Sequence, residues 1–578
     1  MQQAPRSIVI GGEAGQGLVT IGDMLVRTLI RSGYGVLVAQ HYMSRVRGGH
    51  NTYNIRVGAG DVLAPTDDVH VLVALDQRTV TEQGPRLGDG LLILDERLDP
   101  GSLNALRVPF AALAGRPLYE NIAALGVLAA LLGLERAPVD RLVGEAFHKK
   151  GDDVITRNLE VLEAAWRWAS DHRAASEPLS APEGPTGRMM LQGNEAIALG
   201  ALAAGVKFCA FYPMTPATSV AQNLILHAER MGVVVEQAED EIAAMNMVLG
   251  ASYAGARALV PTSGGGFALM TEGVSLAGVM EQPVVIVLAQ RPGPATGLPT
   301  RTEQADLDLA LYAGHGEFPR VIFAPATPED CFHLTYAAFD LAERFQIPAF
   351  VLTDQYLADS YRPVAPFDLD ALPPLAEPDF STDKGPEGDR YKRYELTESG
   401  ISPRRIPGFS KSLVLADCHE HTEQGYITED AGLRIAMSDK RLRKGDGLRS
   451  MALPPRCFGD EAPDLLLACW GSSEGAVVEA AQRLRARGRK VGVLSFTQVW
   501  PLEPSQFLSR CGEASEVVCI EGNATGQFSR LLRLAGVTVG RTLLRYDGRP
   551  FTPEWIVAHL TAGDSGTSHM QTAKGASA

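Results

Sequence analysis

No two of the seven cysteines, at 209, 331, 418, 457, 469, 511 and 519, stand at Cys-x-x-Cys spacing. The scatter encodes neither a zinc ribbon nor a ferredoxin-type cluster, and it reads as reduced, mostly buried thiols. Long apolar runs are also missing: the longest candidate, Ile122 to Leu134, falls short of the roughly 20 residues a spanning helix needs. Basic residues are outnumbered, 53 Lys and Arg against 68 Asp and Glu. The formal charge of −15 argues against a nucleic-acid coat or an anionic membrane surface, while leaving room for a local basic pocket. No charged leader with a hydrophobic stretch opens the chain, which runs at once into the strand-like Ser7-Ile8-Val9-Ile10-Gly11. The expectation is a cytoplasmic protein without a nucleic-acid or membrane partner. No solenoid-type repeat stands out.

What is present is an α/β rhythm. At 578 residues the chain has room for three or four domains, at about 100–200 residues each. Residues 1–173 alternate strand-like runs (Ser7–Ile10, Gly35–Ala39, Val69–Leu75, Leu91–Leu94) with amphipathic stretches, which predicts a parallel sheet. Residues 174–188, rich in Ala, Ser, Pro and Gly, read as a linker. A second α/β block covers 189–356, with strands at Val233–Val235, Ala258–Pro261, Val284–Leu288 and Val321–Ala324. Residues 357–463 look Pro-rich, charged and irregular. Asp464–Cys469, Val491–Ser495 and Val517–Ile520 mark a third block over 464–561, and 562–578 reads as a disordered tail. The fold class is α/β, with three doubly wound domains.

Gly11-Gly12-Glu13-Ala14-Gly15-Gln16-Gly17 follows a strand and opens a helix, where backbone N–H groups can cradle an anion. A P-loop would need Lys-Ser/Thr after the last glycine, and here Leu18-Val19 follow. A dinucleotide fingerprint would need G-x-G-x-x-G and an acid after strand two, and this loop has neither. That disfavours a nicotinamide dehydrogenase. Two readings stay open for Gly15 and Gly17: a tight turn with close helix packing, or a phosphate- or subunit-contacting loop. Arg45 and Arg47, in Ser44-Arg45-Val46-Arg47-Gly48-Gly49, can bind an anionic group or form surface salt bridges.

The most informative segment is Tyr212-Pro213-Met214-Thr215-Pro216, a polar turn after the apolar run Val206–Phe211. It is followed by the acids Glu236, Glu239 and Glu241. Open α/β sheets bind ligands at the carboxyl ends of their strands, so a hydroxyl and a carboxylate can meet there. Glu241 heads Ile242–Ala251, a helix of small and apolar residues that looks buried, and an acid facing such packing needs a partner. Pro261-Thr262-Ser263-Gly264-Gly265-Gly266 follows another strand; its glycines permit close approach of a ligand, or simply supply positive φ. Arg291–Asp306 is a long polar loop whose Pro and Gly content argues for a fixed path. Within it Arg301 is suited to bidentate capture of a carboxylate.

Together the Tyr212–Thr215 turn, Glu241 with its E-x-A-x-x-x-x-x-x-G pattern and the Arg301 loop resemble the alpha subunit of 2-oxoacid:ferredoxin oxidoreductases. The Gly11–Gly17 loop and the Ser44–Gly49 segment resemble that family's gamma domain, fused here at the N-terminus. The resemblance covers nearly the whole chain and implies a gamma domain, a thiamine diphosphate pyrimidine-binding domain and a transketolase C-terminal-like domain. It implies oxidative decarboxylation of a 2-oxoacid with coenzyme A, giving acyl-CoA, CO2 and reduced ferredoxin. Glu241 would be the cofactor-activating acid, Thr215 and Arg301 would hold the substrate, and Tyr212 and Pro213 would flank it. Gly15, Gly17, Arg45, Arg47, Gly264 and Gly265 would touch cofactor or coenzyme A. A separate beta subunit would share the thiamine diphosphate and carry Mg2+ and a [4Fe-4S] cluster, in an (alpha-beta)2 assembly; no metal is expected on this chain. Gly88-Asp89-Gly90 and Gly445-Asp446-Gly447 resemble the start of a diphosphate motif without its continuation, and both read as turns. The fused order makes 2-oxoglutarate the first-choice substrate. Pyruvate, branched-chain or aryl 2-oxoacids are the alternatives, as is a non-catalytic partner subunit keeping the fold.

Overall fold

Three sheets organise the chain in a computed structural model that describes residues 4–13, 17–42, 49–172, 177–382, 387–388 and 390–562. Gly15, Arg45, Arg47 and the tail from 563 onward lie outside the described residues, while Ala562 closes the last helix, Pro553–Ala562. Among the described residues no helix is long and apolar enough to cross a membrane.

The first sheet is mixed rather than parallel. From one edge its strands are Ala105–Val108, Leu91–Asp95, Val71–Ala74, Arg6–Glu13, His50–Gly58, Gly35–His41, Tyr361–Val364 and Met189–Gln192. The first four run parallel, but His50–Gly58 pairs antiparallel with both Arg6–Glu13 and Gly35–His41. The expected βαβ rhythm missed this strand because its apolar residues alternate with polar ones. Tyr53, Ile55 and Val57 enter the core that packs on helix Leu18–Arg31, and Thr52 and Arg56 are buried on the other face. There the Arg56 guanidinium donates to both oxygens of Glu479, at 2.6 and 2.7 Å, tying the sheet to the third unit.

In the second sheet the order is Gln498–Trp500, Val321–Phe323, Pro348–Asp354, Val284–Gln290, Ala258–Thr262, Phe208–Phe211 and Val234–Gln237. All strands but the first are parallel. Near-continuous burial of Val284–Gln290 and Pro348–Asp354 is what a sheet covered on both faces requires. The third sheet has Arg456–Gly459, Val491–Phe496, Leu465–Trp470, Glu516–Glu521 and Arg541–Leu544, parallel apart from its first strand. Leu466, Ala468 and Trp470 share one apolar cluster with Val260, Ile286 and Phe350, so the second and third sheets enclose a common core.

The stretch 357–463 is less irregular than its composition implies. Tyr361–Val364 adds a strand to the first sheet, and Ala431–Ser450 is a 20-residue helix. That helix escapes an apolar-periodicity reading because its buried face includes Lys440, Arg441 and Lys444 beside Met437 and Leu448. Gly445–Gly447 lies inside it, which corrects the expectation of a turn there; Gly88, at φ 54°, does sit in one. Over its described residues the segment expected as a linker is fastened to the first unit. Leu179, Glu183 and Gly184 N–H groups donate to Leu132, Ala59 and Gly33 carbonyls.

Candidate active site

Four pieces of chain follow the carboxyl ends of Phe208–Phe211, Val234–Gln237, Ala258–Thr262 and Val284–Gln290. Helix Glu241–Tyr253 is started by Asp240, whose side chain accepts from the Ala243 N–H at 2.7 Å. This fixes Glu241 in the first turn, 3% exposed. Its Oε1 is buried without a hydrogen-bond partner. The carboxylate lies against Gly266: a Cβ there would stand 2.6 Å from Glu241 Oε1 and 2.4 Å from Thr262 Oγ1. Glycine at 266 is thus a packing requirement. Gly266 has no positive φ, so conformational freedom is not its reason.

Helix Gly264–Met280 begins at this point, and Ser263 at its N-cap keeps a buried Oγ without a partner. A Cβ on Gly264 would meet the Asp306 carboxylate at 2.4–2.7 Å, whereas one on Gly265 would find only the Ala295 carbonyl, at 3.9 Å. Asp306 has a buried Oδ2 with no partner. Its N–H donates to Gln290 Oε1 at 2.9 Å. Burial, opposed by Arg291, pushes the Asp306 carboxyl up to about 6. Burial and then Asp306 push the neighbouring Glu303 up to about 7. Three orphaned oxygens, on Glu241, Ser263 and Asp306, therefore surround one glycine-lined helix start. Buried polar groups are normally satisfied, so this concentration is the candidate site.

Arg291 follows directly on strand Val284–Gln290 and donates through Nη1 to the Thr215 carbonyl at 2.7 Å. Burial lowers its pKa while Asp306 opposes that. The Thr215 turn is anchored from beneath by Asn194, whose Nδ2 donates to Pro216 O and Ser219 Oγ, both at 2.7 Å. Tyr212 and Pro213 are exposed at the rim and Thr215 is half-buried.

Arg301 lies ten residues further along the same loop. It donates to the Thr300 carbonyl at 3.1 Å and the Tyr42 carbonyl at 3.5 Å. It lines a cavity whose walls include none of Tyr212, Thr215 and Glu241. The loop carrying it is stitched to the third unit: the Gln304 N–H donates to Gly522 O and its Nε2 to Trp470 O, at 2.6 and 3.0 Å. Gly17 is at the N-cap of helix Leu18–Arg31 with φ 79°, packed on Asn121. Arg291, Asp306 and Ser263, which the structure brings to this strand-end cluster, were not singled out from the sequence. The usable signal was position, since Arg291 and Ser263 each come just after a parallel strand.

Helix Glu241–Tyr253 is buried on one face only. Ile242 and Met247 are 51% and 41% exposed, as is Leu269 at 51% on the next helix. The expectation of a buried helix fails because its apolar residues extend all round it while the chain covers one side. Leu226 and Val234, 77% and 58% exposed, extend the apolar character toward the edge strand Val234–Gln237.

A parallel α/β sheet presents, at its strand ends, a buried glutamate oxygen without a partner facing a glycine-lined helix start. The family model described as "Pyruvate flavodoxin/ferredoxin oxidoreductase, thiamine diP-bdg" matches residues 199–440, and "Pyruvate ferredoxin/flavodoxin oxidoreductase" matches residues 7–168. The 2-oxoacid:ferredoxin oxidoreductase 2 subunit alpha of Aeropyrum pernix is 31% identical over 94% of this chain and 95% of its own length. The 2-oxoglutarate oxidoreductase subunit KorA of Mycobacterium tuberculosis is 28% identical over 98% of this chain and 93% of its own. A solved 2-oxoglutarate:ferredoxin oxidoreductase from Magnetococcus marinus, with 2-oxoglutarate, coenzyme A and succinyl-CoA bound, superposes with a TM-score of 0.91 at 30% identity. That match covers 97% of this chain and 100% of that one. This chain belongs to the 2-oxoacid:ferredoxin oxidoreductase family, as an alpha subunit.

Proposed function

We propose that the chain oxidatively decarboxylates a 2-oxoacid, 2-oxoglutarate first, with coenzyme A, giving acyl-CoA, CO2 and reduced ferredoxin in the cytoplasm. It does so only with a beta subunit that shares thiamine diphosphate and carries Mg2+ and the [4Fe-4S] cluster, in an (alpha-beta)2 assembly. The observation that carries this reading is Glu241, buried and with a free acceptor oxygen, against a glycine cradle that a single Cβ would fill. The residues fit the pyrimidine end of thiamine diphosphate: Glu241 would bind it, and the Gly264–Gly266 helix start would let it approach. When bound, that cofactor supplies the nucleophilic carbon and the electron sink that loss of CO2 from a 2-oxoacid needs.

The chain's own residues orient and shield. The Glu241 carboxylate accepts a hydrogen bond at Oε1 and so holds a proton-bearing nitrogen in place. Arg291, fixed to the Thr215 turn, takes the role of carboxylate-binding cation in preference to Arg301, because it is the guanidinium beside Thr215. Thr215 offers its hydroxyl to the 2-oxo or carboxylate oxygens, and Tyr212 and Pro213 form the rim. The exposed Ile242, Met247 and Leu269 are the apolar ground on which a beta subunit would close the site and exclude water. Co-expression with a beta-type chain from the neighbouring reading frame, followed by low-potential dye reduction with a panel of 2-oxoacids plus coenzyme A, tests this. Turnover that requires both chains and coenzyme A is expected, fastest with 2-oxoglutarate. A complex that forms but turns over no 2-oxoacid would remove the catalytic reading.

A further inference from the structure

Asp417, Cys418 and His419 form a cluster of metal-ligating side chains between strand Tyr361–Val364 and helix Ala431–Ser450. Their ligand atoms, a carboxylate oxygen, a sulfur and an imidazole nitrogen, all lie within 4.8 Å of one another. The local backbone brings them together. Asp417 Oδ1 accepts from the His419 N–H at 2.8 Å, an Asx turn that folds the third side chain back toward the first. Two residues on, His421 Nδ1 donates to the His419 carbonyl at 3.1 Å. The His421 ring is fully buried against Tyr394, with centroids 3.7 Å apart, and pins the turn to the interior. Asp417 is half-buried, while Cys418 and His419 are exposed.

The spacing suits a cation with mixed ligands. Cys418 Sγ and His419 Nδ1 are 3.6 Å apart. A tetrahedral zinc, with bonds of about 2.3 Å to sulfur and 2.0–2.1 Å to nitrogen, would set those two atoms about 3.5–3.6 Å apart. His419 Nδ1 also contacts Asp417 Oδ1, so a cation would take the place of the proton those atoms share. Cys418 lines a cavity of about 310 Å³ together with Glu272, His315 and Glu317. Arg434 and Arg441, on the same wall, share the Glu420 carboxylate at 2.8 and 2.7 Å. Glu272 and Glu317 have no ion pair among the described residues. Three carboxylates therefore stand against two guanidiniums, and the cavity favours positive charge. A sulfur, a nitrogen and an oxygen ligand select a borderline-soft metal over Mg2+ or Ca2+.

We propose that Asp417, Cys418 and His419 bind one divalent cation of the zinc class, with its fourth position open to the cavity. The site is separate from the strand-end chemistry and stands whether or not the proposed decarboxylation is correct. Binding releases the thiol proton to solvent and leaves a metal-bound thiolate. Titration of the purified, untagged full chain with Co2+ tests it, read by the thiolate-to-cobalt charge-transfer band. The titration is repeated with Cys418→Ser, with His419→Gln and, as a control on the other exposed thiol, with Cys457→Ser. One Co2+ per chain is expected, with the band present and abolished by an equivalent of Zn2+. Cys418→Ser should remove the band, His419→Gln should weaken binding at least tenfold, and Cys457→Ser should change neither. Absence of the band, its survival in Cys418→Ser, its loss in Cys457→Ser, or unchanged affinity in His419→Gln would overturn the assignment.

Discussion

Two polar clusters, one around Glu281 and one around Glu241, each centre on a buried glutamate and differ in one respect. Around Glu281 every charge has a partner. Glu281 accepts from Lys440 Nζ at 2.7 Å on both oxygens and pairs with Lys444. Arg393 donates to the Glu281 carbonyl at 2.8 Å and to Gln346 Oε1 at 2.9 Å. Burial alone would raise the Glu281 carboxyl, yet Lys444, Lys440 and Arg393 hold it below the usual carboxylate range. Around Glu241, oxygens on Glu241, Ser263 and Asp306 have none. Both clusters lose hydration on folding. The first recovers it within the chain and locks helix Ala431–Ser450 onto the sheet; in the second, three oxygens find no partner among the described residues.

The comparison breaks first at its two glutamates. Glu241→Gln in the reconstituted complex is expected to lower kcat about 10²–10⁴-fold, the range for loss of a positioned acid–base group, while the melting temperature holds or rises. Near-normal activity would show that the acid serves packing. Glu281→Gln should do the reverse, leaving Lys440 and Lys444 facing each other without an anion. Removing one partner of such a buried group costs about 3–5 kcal/mol, read as a lower denaturation midpoint in urea. Activity per folded molecule should stay within about twofold, and a large fall in it would place the Glu281 cluster in the chemistry.

Arg291→Ala sharpens the boundary of the unsatisfied cluster. It should lower kcat/KM at least tenfold, about 1.4 kcal/mol of transition-state binding. Arg301→Ala measured alongside decides the assignment: a larger loss at 301 than at 291 returns the carboxylate-binding role to Arg301.

Sequence made one cluster readable and hid the other, for physical reasons. Parallel core strands such as Val284–Gln290 announce themselves as apolar runs, and Glu241 stands out as an acid heading a helix of small residues. The segment Arg291–Asp306 was legible as a loop, but which arginine turns toward Thr215 depends on how the loop is stitched to Trp470 and Gly522, more than 160 residues later. The Glu281 cluster left no local trace, since Lys440 and Lys444 read as a solvated helix face until their partner 160 residues upstream is in place. Tyr361–Val364 joins a sheet begun at Arg6, and no local pattern encodes so distant a pairing.

The smallest expected effect tests whether the empty cluster is strained in the isolated chain. The Asp306 carboxyl is raised from its ordinary 3.8 to about 6 by burial, with Arg291 opposing. A raised carboxylate pKa means that the native state holds the proton more tightly than the unfolded chain. The associated stability is fully present below about pH 4 and is lost as pH rises through about 6. Above that, the chain carries a buried, partnerless carboxylate oxygen. Asp306→Asn removes the ionisation, so it should stabilise the isolated chain at pH 8 and leave it nearly unchanged at pH 3.5. Urea midpoints of both proteins at the two pH values measure the difference. An equal shift at both pH values, or none, would mean that the carboxylate at 306 is already compensated, and would remove it from the unsatisfied cluster.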